Sequence, residues 1–90
     1  MEEAAPCGVV WTVYLLRCRD GTLYCGVATD VEKRVAAHAA GKGARYTRGR
    51  GPFEVVWTEP HATRGAALAR EAAVKRLPRR SKLALARLTP

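Results

Sequence analysis

Three residue types are missing altogether from this 90-residue chain, which has no Asn, Gln or Ile, and Met and Phe occur once each. Beside abundant Ala, Arg and Gly, these gaps look like the codon bias of a GC-rich genome, and they leave no side-chain amide to serve as a ligand. Cysteine is scarce and odd in number: Cys7, Cys18 and Cys25. Without a C-x-x-C pair, and with His38 and His61 at unsuitable gaps, these thiols build neither a disulfide framework nor one of the common zinc sites. No apolar run approaches the roughly 20 residues of a membrane span. The acidic start Met1-Glu2-Glu3 contradicts a secretory signal, so the expected setting is cytoplasmic, with no membrane. Acidic side chains are the last shortage, 8 against 16 Lys plus Arg, for a formal net charge of +8.

What is present is enough for one folded unit. A mass of 9.8 kDa leaves no room for a second core of ordinary size. At 48% apolar residues the chain is too hydrophobic for a basic disordered tail. The expected division is an N-terminal tail over 1–9 and a single domain over 10–88. Residues 1 to 30 carry 2 basic and 4 acidic side chains, residues 31 to 60 carry 6 and 3, and residues 61 to 90 carry 8 and 1. The positive surface therefore belongs to the part of the chain after residue 30.

From Val9 to Val27 the residues favour pleated structure, and Asp20-Gly21 interrupts the run. A two-residue Asp20-Gly21 loop would pair Arg19 with Thr22 and put Tyr14 and Tyr24 on opposite faces, whereas a three-residue loop, Arg19-Asp20-Gly21, with Gly21 left-handed, pairs Cys18 with Thr22, Leu16 with Tyr24 and Tyr14 with Gly26. Both tyrosines then share a face as diagonal neighbours, roughly 7 to 8 Å apart at Cα, and Gly26 leaves room above the Tyr14 ring. Thr29-Asp30-Val31-Glu32 offers a capping box with Thr29 as the cap, opening a helix that ends at Gly41. Val31 and Val35 mark its buried stripe, with Ala39 at the margin. Arg34 and His38, four residues apart, are neighbours at the stripe's edge.

The segment Gly41 to Pro52 is basic and glycine-rich, with one helical turn expected around Tyr46. Lys42, Arg45, Arg48 and Arg50 suit phosphate contacts, and Tyr46 suits stacking on a base or sugar. Phe53 to Thr58 alternates as a third strand, with Phe53, Val55 and Trp57 predicted on one face. A helix capped near Thr63 runs through Leu68, Glu71, Val74 and Leu77 to Pro78, and a last short helix starts at Arg79 or Ser81, with Leu83, Leu85 and Leu88 as its apolar residues. The fold expected is α+β: a small three-stranded antiparallel sheet packed by helices in the order β-β-α-β-α-α. Glu71 falls inside its helix's apolar arc. Its carboxylate calls for a partner, and Lys75 at i+4, the Arg34 guanidinium or a metal ion would each serve.

In order and spacing, Thr12-Val13-Tyr14, Tyr24-Cys25-Gly26, the helix with Arg34 and His38, and the Glu71 helix resemble the GIY-YIG endonuclease superfamily over roughly residues 10 to 80. The small stand-alone bacterial proteins of this type are similar in wording, as in the Gly-Lys-Gly-Ala-Arg-Tyr-Thr-Arg segment. They in turn look like the nuclease subunit of the eukaryotic structure-specific endonuclease that acts on branched DNA. Thr12 stands for the motif glycine and Cys25 for the motif isoleucine. Val27, Ala28 and Thr29 occupy the stretch where many members have a lysine, and the downstream Asn of many members is absent.

The resemblance implies a metal-dependent endonuclease hydrolysing DNA phosphodiester bonds in repair or recombination, structure-specific for branched, nicked or damaged DNA. Glu71 would hold one divalent cation, Mg2+ or Mn2+, with water and phosphate oxygen completing the shell. Tyr24 or His38 would be the general base, Tyr14 would position water or phosphate, and Arg34 would fork onto the scissile phosphate. DNA is the expected partner, with RNA and a specificity-conferring protein left open, as is the oligomeric state. Two other readings stand beside this one: a catalytically weak or inactive nucleic-acid-binding module on the same fold, and a basic adaptor for acidic proteins.

Overall fold

The structure, a computed structural model, describes residues 10–42, 49 and 51–88. Its elements are β1 (Trp11–Arg17), β2 (Leu23–Ala28), α1 (Val31–Ala39), β3 (Glu54–His61), α2 (Arg64–Lys75) and α3 (Arg79–Leu88). The three strands form one antiparallel sheet in the order β2-β1-β3. This is the α+β architecture and element order that the sequence pattern predicts.

Strand β1 is central, and four consecutive residues, Val13, Tyr14, Leu15 and Leu16, are fully buried. An unbroken apolar run of this kind belongs to a strand covered on both faces. On one face Val13, Leu15, Cys25 and Trp57 pack with Ala67 and Val74 of α2, and Leu77 and Leu85 close over them. On the other, Tyr14, Leu16 and Ala28 pack with Tyr24, Val31, Val35 and Phe53. Each fully buried aliphatic side chain contributes about 1.5–3 kcal/mol. The sheet is thus a wall between α1 on one side and α2 with α3 on the other.

The hairpin takes the register of the three-residue loop: Tyr14 pairs with Gly26 and Leu16 with Tyr24. Gly21 is left-handed at φ 86, the Cys18 N–H donates to the Thr22 carbonyl at 2.8 Å, and the Asp20 carboxylate accepts from the Thr22 N–H and hydroxyl. Gly41, at φ 77, ends α1: its N–H donates to the His38 carbonyl, and that of Lys42 to the Ala37 carbonyl.

Five expectations are corrected. The cap of α1 is Asp30, whose carboxylate accepts from the Lys33 N–H at 3.0 Å. Thr29 precedes the cap, so the third helical position is Lys33 and no capping box forms with Glu32. Strand β3 carries a bulge: Leu15 pairs with Trp57 but Leu16 with Val55. The extra residue, Val56, reverses the alternation, so Phe53 packs on the Tyr14 face, Trp57 on the α2 face, and Val55 is exposed. The strand also runs on to His61, through Pro60, which an outer strand tolerates. On α2 the buried stripe is Ala67 and Val74 while Leu68 is exposed, because the small Ala67 lets the helix approach the sheet. Ala39 on α1 is likewise exposed.

Thr63 caps α2 as predicted, accepting from the Ala66 N–H at 3.1 Å. No helix among the described residues is long and apolar enough to cross a membrane.

Candidate active site

The candidate site starts from the hairpin register. With Tyr14 opposite Gly26 and Tyr24 opposite Leu16, the two rings come to a centroid separation of 6.4 Å. The Tyr14 ring lies across Gly26, and a Cβ added there would sit 2.6 Å from Tyr14 Cζ. Only glycine admits the ring in this position. Since β2 is an outer strand, the Tyr14 hydroxyl points from the centre of the sheet toward that strand's edge.

Helix α1 covers this face and delivers the next two side chains. Val31 and Val35 seat the helix, which brings His38 down onto the tyrosines, buried at 2% exposure. Its Nε2 lies 3.1 Å from the Tyr14 hydroxyl, and its ring stands 5.3 Å from that of Tyr24 and 5.9 Å from that of Phe53. Arg34, one turn earlier, is exposed and lines a cleft with Thr29 and Lys33.

Burial decides the proton positions. It pushes the Tyr14 phenol up to about 12; the neighbouring Tyr24 adds to the rise, and the Arg34 guanidinium opposes it. Burial also pulls His38 below its ordinary 6.5, with Arg34 adding to the effect. Near neutral pH the pair is therefore a phenol against a neutral imidazole.

The structure brings Tyr14, Tyr24, Arg34 and His38 together on the α1 face. Glu71 it places elsewhere, on α2, one turn from Ala67 and from Val74 and on the same stripe, facing Cys25. Its carboxylate is 19% exposed and meets the Lys75 ammonium at 3.3 Å, the i, i+4 partner. Burial, with the Glu71 carboxylate beside it, pushes the Cys25 thiol up to about 11 and keeps it protonated. Cys25 and Gly26 are consecutive in β2 and face opposite sides of the sheet, so Glu71 and the Tyr14 hydroxyl flank the same stretch of this outer strand.

No group of three or more His, Cys, Asp or Glu that could hold a metal occurs among the described residues. Among the described residues Glu71 alone offers a mostly buried carboxylate, and its lysine partner is 52% exposed and able to swing away. Such a donor fits an Mg2+ ion that keeps most of its water, and does not make a closed cage.

Lys42 is exposed just beyond α1, while Arg45, Tyr46, Arg48 and Arg50 lie outside the described residues. Two residues near the site escaped the sequence reading. The sequence pattern puts Phe53 on the Trp57 face, and only the bulge, which leaves no mark in the sequence, turns it toward His38. Lys33 had a signal: it lies beside Arg34, and moving the cap from Thr29 to Asp30 makes it the residue whose N–H the cap holds.

A family model described as the GIY-YIG catalytic domain matches residues 10–84. The UPF0213 protein of Nitratidesulfovibrio vulgaris is 55% identical over 75 residues, covering 83% of this chain and 68% of the relative. That of Vibrio cholerae is 46% identical over 86 residues, covering 94% and 85%. Among solved structures, the solution NMR structure of the UPF0213 protein from Bacillus halodurans superposes with a TM-score of 0.57 at 48% identity, over 88% of this chain and 84% of that one. With the paired tyrosines, the α1 arginine and histidine and the α2 glutamate in the order of the family's motifs, the chain belongs to the GIY-YIG family.

Proposed function

We propose that the chain is a divalent-metal-dependent DNA endonuclease, structure-specific for branched, nicked or damaged DNA in repair or recombination. The observation that carries this reading is the buried Tyr14–His38 pair, at 3.1 Å, with Tyr24 and Arg34 around it. Membership in a nuclease family and a net charge of +8 support a nucleic-acid substrate.

Hydrolysis of a phosphodiester needs a base for the attacking water, charge compensation on phosphate oxygens and a proton for the leaving oxygen. The neutral imidazole of His38 is the base. As its Nε2 takes the Tyr14 hydroxyl proton, the same oxygen takes one from the water, so Tyr14 never rests as a phenolate. That suits a phenol whose pKa is about 12. Tyr24, half-buried beside both rings, holds the water. The Arg34 guanidinium forks onto the nonbridging oxygens. Because burial and Arg34 hold the imidazolium's pKa down, His38 readily gives the proton up to solvent, and water supplies the proton to the leaving oxygen, which departs in line on the far side of the phosphorus.

A phosphate laid along the edge of β2 would meet these groups from the α1 side and Glu71 from the α2 side. Glu71 would hold a divalent cation, which when bound supplies positive charge to the phosphate and lowers the pKa of water.

The test is incubation of the purified chain with flap, junction and supercoiled DNA, with and without Mn2+. Product that requires Mn2+ and disappears in Tyr14→Phe and His38→Ala supports the proposal. Metal-independent binding with no product at high protein concentration replaces it with a noncatalytic binding module.

A further inference from the structure

Away from the tyrosine cluster the fold gathers a second set of cations. The segment from α2 into α3 carries Lys75, Arg76, Arg79, Arg80 and Lys82, and its neighbouring acid, Glu71, is engaged by Lys75. Packing of Leu77 and Leu85 on the α2 face turns this corner toward the hairpin tip. There the Arg79 guanidinium reaches over Gly21, its Nη2 3.9 Å from where a Cβ on that residue would stand. This contact adds Arg19, an exposed residue of the turn some 60 positions earlier in the chain.

Among the described residues no ion pair engages Arg19, Arg76, Arg79, Arg80 or Lys82. Folding has assembled like charges at their mutual cost, and the acid of the turn, Asp20, directs its carboxylate to the Thr22 N–H and hydroxyl. Acidic residues elsewhere are used differently: Glu54 pairs with Arg17, and Glu59 with Arg70 and His61.

We propose that the hairpin tip and the α2–α3 corner form a docking surface for the backbone of a duplex DNA arm, separate from the residues that act on the cut phosphate. Phosphate is the anion that such a spread of point charges matches, one cation per backbone charge. Single-stranded nucleic acid is the poorer match, because it is held by aromatic platforms as well as charge. The described aromatic residues, Trp11, Tyr14, Tyr24, Phe53 and Trp57, belong to the two packed faces of the sheet rather than to this corner.

The spacing gives the surface a register. Tyr14 and Arg19 are five residues apart, the last two steps lying beyond the end of β1, so at most roughly 17 Å separate them at 3.4 Å per residue. Stacked base pairs advance by about the same step, so the corner grips the arm within about five base pairs of the cut. This inference rests on the nuclease reading only for the position of the cut; the docking surface itself is a matter of binding.

The experiment measures anisotropy of labelled duplexes against the parent and an Arg76→Ala/Arg79→Ala/Arg80→Ala variant, in EDTA so that no turnover occurs. Thermal melting shows whether the variant is folded, and an Arg→Lys version of all three sites retains the charge. Three lost phosphate contacts flatten the log affinity against log salt slope by about 2.7, so the fall in affinity between 50 and 200 mM salt shrinks roughly 40-fold. The lysine version keeps the parent's slope, and the difference between parent and alanine variant vanishes on arms shorter than about five base pairs. Equal slopes for parent and alanine variant overturn the proposal. So does a loss by the alanine variant that is as large on oligothymidylate, polyglutamate or phosphatidylserine vesicles as on duplex. A parent that binds in this way but cuts nothing with Mn2+ overturns the nuclease reading alone.

Discussion

The Tyr14 hydroxyl and His38 Nε2, 24 residues apart in sequence, meet at 3.1 Å with both side chains buried. The contact couples the hairpin to α1, and it makes the two residues separable by mutation. Tyr14→Phe keeps the ring over Gly26 but leaves a buried imidazole nitrogen without this partner, for about 1–3 kcal/mol of stability. It also breaks the proton path, so cutting falls by about 10²-fold or more while the folded fraction at 25 °C stays high. Denaturant melts and single-turnover cleavage measure the two effects. A variant that loses stability but cuts at the parent's rate makes the pair purely structural.

The same pair sets two opposite pH dependences. His38 in the folded chain lies below its ordinary 6.5, so the unfolded chain takes up a proton first as pH falls. Stability is then full above about 6.5 and declines as pH drops from there toward the folded value. With His38 as the proposed base, cutting should follow the neutral imidazole, rising through that depressed value and level by neutrality. Tyr14 runs the other way, from 10.0 up to about 12. Its contribution is present below pH 10 and is lost between 10 and 12, at most about 2–3 kcal/mol. Melts of the parent and Tyr14→Phe across this range should converge by that amount as pH rises. A constant gap refutes the assignment.

Much of the site was legible because it rests on hairpin register and helix phase. The three-residue loop put Tyr14 opposite Gly26, and the i, i+4 spacing put Arg34 beside His38. The bulge at Val56 was not legible, since Phe53-Glu54-Val55-Val56-Trp57 alternates acceptably without it, and pairing with β1 is what inserts it. The side of the sheet reached by Glu71 was hidden too, because helix phase says which residues are buried without saying on which face the helix lands.

Helix capping separates two adjacent residues that sequence treats alike. Both Thr29 and Asp30 are good cap formers, but only the Asp30 carboxylate reaches a helix N–H, that of Lys33. Asp30→Ala should cost about 1 kcal/mol and Thr29→Ala only a few tenths. Chemical denaturation of the two variants decides it, and equal losses would restore Thr29 to the cap.

Gly26 is where a side chain and the Tyr14 ring compete for one space. A methyl group there overlaps the Tyr14 ring on a strand held in register on its inner side. Gly26→Ala should cost about 1–3 kcal/mol by overpacking and displace the phenol from His38, lowering cutting as Tyr14→Phe does. Combining it with Tyr14→Leu removes the overlap, so the double variant should be more stable than the sum of the single losses predicts, and still inactive. Additive losses would mean that the ring and the strand accommodate the methyl group independently.

Glu71 poses the sharpest question, because its carboxylate lies on the α2 side of the wall that the tyrosines face from the α1 side. If it holds the divalent cation, the competing ammonium of Lys75 at 3.3 Å weakens that site, and removing it strengthens binding. Lys75→Ala should tighten Mn2+ binding severalfold at low salt, and Glu71→Gln should weaken it at least tenfold. Neither should change stability by more than about 1 kcal/mol, since the pair is partly exposed. Titration calorimetry with Mn2+ and a noncleavable duplex reads both variants directly. Unchanged binding in Glu71→Gln would leave the carboxylate as the partner of Lys75 beside Cys25, and would send the search for a cation ligand to the edge of β2.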